Sequence, residues 1–167
     1  MINWNEIGQI MRILSIIILC SAVPFTGFSQ ESDIEEKVQI KNVIDQFFEA
    51  IEKKDSILMS LAILGDAQVW RRRNNGGLPK IDFRFSKDSA GAMSSWPDMK
   101  EIALDYDITA NNDIAVAWVP YEFWIEDKFS HCGIDIFTLF KKDGEWKIIT
   151  LAYTVEKVEC EQINRKK

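Results

Sequence analysis

Histidine is almost missing from this 167-residue chain, which has only His131. Chemistry built on paired imidazoles is therefore excluded, and any histidine-based proton transfer must run through that one side chain. Cysteine is scarce too, at Cys20, Cys132 and Cys160. One histidine and scattered cysteines do not make a zinc-type ligand set, so no metal is expected. Basic charge is in deficit: 20 Lys and Arg against 26 Asp and Glu leave a net charge of −6. With no basic stripe, a nucleic-acid partner is not expected. Gly76-Gly77 lacks the spacing of a phosphate-binding or dinucleotide loop, so no cofactor is expected either. The longest apolar block, 13–28, is too short to span a bilayer comfortably and is interrupted by Pro24. Repeats, low-complexity linkers and signs of a second domain are lacking as well.

That block is followed by Gly27-Phe28-Ser29 and then the polar run Gln30-Glu31-Ser32-Asp33. Small residues at the −3 and −1 positions make 1–29 a secretory signal, cleaved near Ser29 or Gln30. Met11-Arg12 leads directly into the apolar block, so either Met1 or Met11 is the start. Leu19 stands where a lipobox needs a small residue, which argues against lipidation at Cys20. The reading is an exported protein, periplasmic or extracellular, with one mature domain over 30–167 and no membrane span once the signal is removed. Roughly 140 residues suffice for a sizeable core.

Within that domain, Ser32 and Glu35 form a capping box ahead of apolar positions at helical spacing, predicting a long amphipathic helix over 32–53. Asp55 can cap a short helix running to Leu64 and ended by Gly65. Strands follow at 67–73 and 80–86 around the turn Asn74-Asn75-Gly76-Gly77, then a weak helix over 86–95 stopped by Pro97. Four more strands are predicted at 101–109, 113–126, 129–141 and 145–157. Their links are short, so the sheet is expected to be antiparallel. The outcome is an α+β cone: a curved antiparallel sheet of about six strands packed on one long and two short helices.

The C-terminal third carries the most specific text: Trp118-Val-Pro-Tyr-Glu-Phe-Trp124, Phe129-Ser-His-Cys-Gly-Ile-Asp135, Glu145-Trp-Lys-Ile-Ile149, Leu151-Ala-Tyr-Thr-Val155 and Cys160. With the element order, this resembles secreted bacterial members of the nuclear transport factor 2-like superfamily. That superfamily includes the SnoaL-like polyketide cyclases, ketosteroid isomerase, scytalone dehydratase and lumazine-binding-like proteins. The resemblance implies a cone-shaped cavity and often a homodimer through the sheet. It implies no single reaction, because one fold hosts many functions.

Asp143-Gly144 between two alternating runs is a strong hairpin signal and places Lys142 opposite Glu145. Asp127-Lys128 as a second two-residue loop places Glu126 opposite Phe129. Together these registers put Trp118, Pro120, Glu122, Trp124, His131, Gly133, Asp135, Phe137, Thr150, Ala152, Thr154 and Glu156 on one face. A single bulge would exchange the sets beyond it. This mixed aromatic and polar face is taken as the pocket wall. Trp118, Glu122, Trp124, Phe137, Thr150 and Thr154 are its expected ligand contacts.

His131 is expected across from Trp124 and Glu156, with a His–Glu pair feasible. Residues four apart on a strand are about 13 Å apart, which rules out a His131–Asp135 dyad. Asp135, flanked by apolar residues, is the best candidate base because a desolvated carboxylate raises its pKa; the alternative is a hydrogen-bonded structural Asp. Gly133 leaves a gap between the two where a ligand could meet the backbone. Arg71-Arg72-Arg73 fits an anion site, but a solvated strand end explains it as well. An oxidising compartment and an even count of mature cysteines predict a Cys132–Cys160 disulfide, provided 157–159 turn back. The leading expectation is a binder of a small, largely apolar or aromatic molecule. The rivals are an isomerase, cyclase or dehydratase using Asp135 or His131 as base, and a structural homodimer with a filled cavity.

Overall fold

The computed structural model describes residues 27–73, 78–157 and 160. The proposed signal upstream of 27, with Met11 and Cys20, and the 74–77 turn lie outside the described residues. The chain divides into Met1–Asp33 and a compact unit, Ile34–Lys167, which holds the sheet and the candidate site.

Helix α1 spans Gly27–Lys53. It starts ahead of Ser32, which is therefore an interior residue and not the expected cap. From the second unit's part of α1, Ile40, Ile44, Phe47, Phe48 and Ile51 are buried on one stripe, as their helical spacing requires. Asp55 caps α2 (Ser56–Ala62), accepting from the Ile57 and Leu58 amides at 2.9 Å. The chain turns extended at Ile63, so α2 ends before Leu64, and Gly65 lies inside strand β1 (Ile63–Arg73). Strand β2 (Lys80–Phe85), α3 (Ser86–Ala90) and a 3-10 turn (Met93–Ser95) follow, so the third helix is a split, shorter element.

The remaining strands are β3 (Met99–Ala103), β4 (Asp107–Asn111), β5 (Ile114–Ile125), β6 (Lys128–Lys142) and β7 (Glu145–Val155). The seven-stranded sheet runs β2-β1-β7-β6-β5-β3, with β4 also on β5. It is mixed, correcting the antiparallel expectation: β1 and β7 are parallel. Short links dictate antiparallel pairing only between strands adjacent in sequence, and β1 reaches β7 through the rest of the chain.

The single strand expected over 101–109 is two strands. Its break faces Pro120, whose carbonyl accepts from the Leu104 amide at 2.8 Å. In an antiparallel pair a residue's N–H and C=O point to the same neighbour, so the N–H that Pro120 lacks is missing on this edge.

Two bulges set the sheet's faces. The β6–β7 hairpin starts in the expected register, with Lys142 opposite Glu145, but Ile149 is inserted, so Phe137 pairs Leu151 and Asp135 pairs Tyr153. The β5–β6 loop is Glu126-Asp127, both at positive φ, one residue earlier than expected. Ile125 pairs Lys128, Ser130 is extra, and Phe123 then pairs His131. Each bulge exchanges the faces of the strand beyond it. One face now carries Val119, Tyr121 and Phe123 of β5, His131, Gly133, Asp135 and Phe137 of β6, and Leu151, Tyr153 and Val155 of β7.

A disulfide joins Cys132 to Cys160, with Cα atoms 5.8 Å apart. Cys132 also forms an antiparallel bridge with Glu156, just past β7.

Candidate functional site

The inner face, roofed by α1, α2, α3 and the 3-10 turn, encloses a cavity of about 500 Å³. Phe47, Ile51, Met59, Met93, Trp96, Met99, Leu151 and Val155 give it apolar walls. Its polar groups come from six strands, β1, β2, β3, β5, β6 and β7, and follow the sheet register. Arg71 pairs Tyr153, which pairs Asp135, so these lie in one row across β1, β7 and β6. Glu101 pairs Phe123, which pairs His131, giving a second row.

Among the described residues Asp135 is the most deeply buried charged one, 2 % exposed. Burial raises its pKa well above the usual carboxylate range, and the neighbouring Glu101 raises it further by charge and by a hydrogen bond. Burial also raises Glu101, to about 8, against the lowering effect of its hydrogen bond to Asp135. Two carboxyls can hydrogen-bond only if at least one holds a proton, so this is an acid pair that retains protons near neutral pH. The Asp135 Oδ2 atom is buried and has no partner.

His131 stands on the same face as Asp135, as expected, but in other company. It stacks on Phe123 at 4.8 Å, meets Tyr121 edge-on at 5.8 Å, and its Nδ1 is 3.0 Å from Ser130 Oγ. Burial lowers its pKa first, then the positive charges of Lys157 and Arg71, so the neutral ring is favoured. The expected His–Glu pair does not form: Glu156 pairs with Arg72 at 3.3 Å, and Glu122 accepts from Trp124 Nε1 at 3.4 Å. The Ser130 bulge moves Glu122 off the His131 face, and the Ile149 bulge does the same for Glu156, which bridges Cys132.

The gap expected at Gly133 is filled by protein. Tyr121 crosses it and donates its hydroxyl to the Thr154 carbonyl at 2.6 Å. A Cβ on Gly133 would stand 2.1 Å from that carbonyl oxygen and 2.7 Å from the Tyr121 ring. Burial raises the Tyr121 pKa above the usual phenol range, and the Glu101 and Asp135 charges add to it, so the hydroxyl stays protonated and donating.

None of the six predicted ligand contacts lines this cavity. Trp118 and Thr154 line a shallow apolar depression on the other face instead. Thr154 Oγ1 accepts from the Ile134 amide at 3.1 Å, while Glu122 and Trp124 contact each other. Thr150 pairs Thr138 just past the Ile149 bulge. Phe137 does face inward but is core, fully buried and edge-on to Phe47 and Phe48 at 5.7 and 5.9 Å.

Sequence reasoning missed Glu101 and Arg84, and weighed the Arg71-Arg72-Arg73 run for an anion site without placing Arg71 and Arg73 in the cavity. Arg71 and Arg73 are two apart on β1 and share a face, both binding Asp82 at 3.0 and 3.1 Å. Arg84, paired across from Val69, also lines the cavity and donates to Ser89 Oγ at 2.7 Å. The alternation of Arg71 and Arg73 was a usable signal; Glu101 had none, because its reach into the cavity depends on the β3–β5 pairing. Among the described residues no three His, Cys, Asp or Glu side chains converge as a metal site would require, nor is any helix long and apolar enough to cross a membrane.

A helix-roofed, strongly curved sheet with an internal cavity is the nuclear transport factor 2-like cone. The chain belongs to the family described as "Putative lumazine-binding", which matches residues 35–154. Solved structures share the fold at low identity. A cystatin-like-fold protein of unknown function from Nostoc punctiforme is 15% identical, with a TM-score of 0.59 over 72% of this chain and 91% of its own. A nuclear transport factor 2-like protein from Novosphingobium aromaticivorans is 10% identical, with a TM-score of 0.62 over 86% and 98%. A "putative ketosteroid isomerase" from Shewanella frigidimarina is 21% identical, with a TM-score of 0.52 over 69% and 94%. No curated protein matches the chain.

Proposed function

We propose that this protein binds a small, largely apolar or aromatic molecule in its cavity and does so after export. The observation that carries the reading is an unfilled space of about 500 Å³ walled by apolar side chains, with a few polar groups converging on it. Ring-bearing ligands suit walls that include Trp96, Phe123 and Tyr153. The family's description as lumazine-binding is compatible with a flat heteroaromatic ligand. Export is supported by the signal-like 1–29 segment and the Cys132–Cys160 disulfide. Native mass spectrometry of protein purified from the periplasm or medium tests it: a stoichiometric small-molecule adduct, released on unfolding, is expected. No adduct, with no saturable quenching of tryptophan fluorescence by neutral aromatic compounds, would refute it.

The Glu101–Asp135 pair favours a second reading, a proton-transfer enzyme of isomerase, cyclase or dehydratase type. Asp135 would be the proton carrier and Glu101 would tune it; His131, neutral and stacked on Phe123, would be a wall more than a base. A carbon acid bound in the cavity would then exchange its acidic hydrogen in D2O, and Asp135→Asn would stop that exchange while leaving binding intact.

A homodimer through the sheet is supported separately. The outer face of β5 exposes Ile114, Val116 and Trp118 beside Phe140 of β6, an apolar stretch suited to a partner. Sedimentation equilibrium should give a dimer that Val116→Lys with Trp118→Lys converts to a monomer. A wild-type monomer at high concentration rules it out.

A further inference from the structure

The polar groups of the cavity are sorted by sign. Arg71 and Arg73 stand on β1, Arg84 on β2 and Lys157 just past β7, whereas both carboxyls, Asp135 and Glu101, stand on β6 and β3. The row Arg71–Tyr153–Asp135 makes two interstrand steps, so cation and acid backbones are about 10 Å apart. That span accommodates a ring system.

The cationic side is under-neutralised. Asp82 is the only carboxylate bonded to either Arg71 or Arg73 among the described residues, and it serves both. Arg84 bonds only to a hydroxyl there, that of Ser89. The Nε of Arg73 is shielded from solvent and has no partner. The excess field is felt inside, because Arg71 and Lys157 both disfavour the charged form of His131. At the opposite side, the acid pair is buried and retains protons, and so opposes an anion only weakly.

We infer that the cavity is built for an amphiphilic organic anion: a ring-sized apolar body, a carboxylate, sulfonate or phosphate head among Arg71, Arg73 and Arg84, and a polar group directed toward Asp135. This rests on the cavity-binding reading and adds charge selectivity to it. Guanidinium groups suit the role because their planar donors match the oxygens of such heads.

Matched fluorescent probes test it. An anilinonaphthalene sulfonate carries the head, and N-phenyl-1-naphthylamine is its uncharged counterpart. The full-length disulfide-bonded protein should bind the sulfonate at least about tenfold more tightly, as expected for one charge-assisted contact. Arg84→Gln should reduce sulfonate binding by about tenfold and neutral binding by less than about twofold. Arg84→Lys should restore part of the loss, and circular dichroism of each variant confirms folding. Equal binding of both probes, or sulfonate binding insensitive to both Arg84→Gln and Arg71→Gln, overturns the anion inference alone. Failure of both probes to bind overturns the cavity-binding reading and this inference with it.

Discussion

Glu101 of β3 and Asp135 of β6 join their carboxyls by a hydrogen bond across the intervening strand β5. The pair needs a proton, and burial makes the folded protein hold it more tightly than the unfolded chain does. Between about pH 4.5 and about 8, the ordinary and folded values for Glu101, the folded state binds more protons. Stability conferred by the pair is therefore complete at low pH and is lost as pH rises through that window. His131 acts in the opposite sense: its lowered pKa removes stability as pH falls below its ordinary 6.5. Above 6.5 the acid pair dominates. The urea midpoint should fall between pH 6.5 and 8.5, Glu101→Gln should lessen the fall, and adding Asp135→Asn should nearly abolish it. An unchanged slope in the double variant would disprove the coupling.

Gly133 should tolerate no side chain. Alanine there drives a Cβ to 2.1 Å from a backbone carbonyl, which cannot move as a side-chain tip can. Overpacking typically costs about 1–3 kcal/mol, and a backbone collision belongs at the top of that range. Chemical denaturation measures it. A loss below about 0.5 kcal/mol would mean that β6 and β7 part easily here.

Periodicity and turn chemistry carried the architecture, and two extra residues decided the site. The α1 stripe, the Asp55 cap and the Asp143-Gly144 hairpin are local features, written in spacing and in residues that accept positive φ. That His131 and Asp135 share one face of β6 follows from alternation alone. Their neighbours do not, because Ser130 and Ile149 are extra residues at bulges that no residue type announces. Hence Tyr121, Phe123 and Tyr153 occupy the inner face where Trp118, Glu122 and Thr150 were expected. Glu101 was hidden for a related reason: Pro120 splits the edge strand, and only the tertiary pairing shows where β3 is aligned.

The disulfide closes a separation of 28 residues, for which loop-closure entropy gives about 3–4 kcal/mol. Cys132→Ser together with Cys160→Ser should lower the unfolding free energy by that order. Oxidised wild type should show no free thiol from this pair until reduced. Two reactive thiols in the untreated exported protein would contradict the bond. Unchanged stability on its removal would mean that the loop is already held by the Cys132–Glu156 bridge.

Phe137 and Trp118 offer a direct test of the bulged register, because the hairpin alignment read from sequence placed both on one wall. In the structure Phe137 is fully buried against Phe47 and Phe48, and Trp118 is 47% exposed on the outer face. Phe137→Ala should cost about 3–5 kcal/mol through lost contacts and a new void. Trp118→Ala should change monomer stability by no more than about 0.5 kcal/mol, as surface positions do. Urea titrations at low protein concentration separate this from any effect on association. Comparable large losses at both positions would return Trp118 to the inner face, and with it the unbulged register.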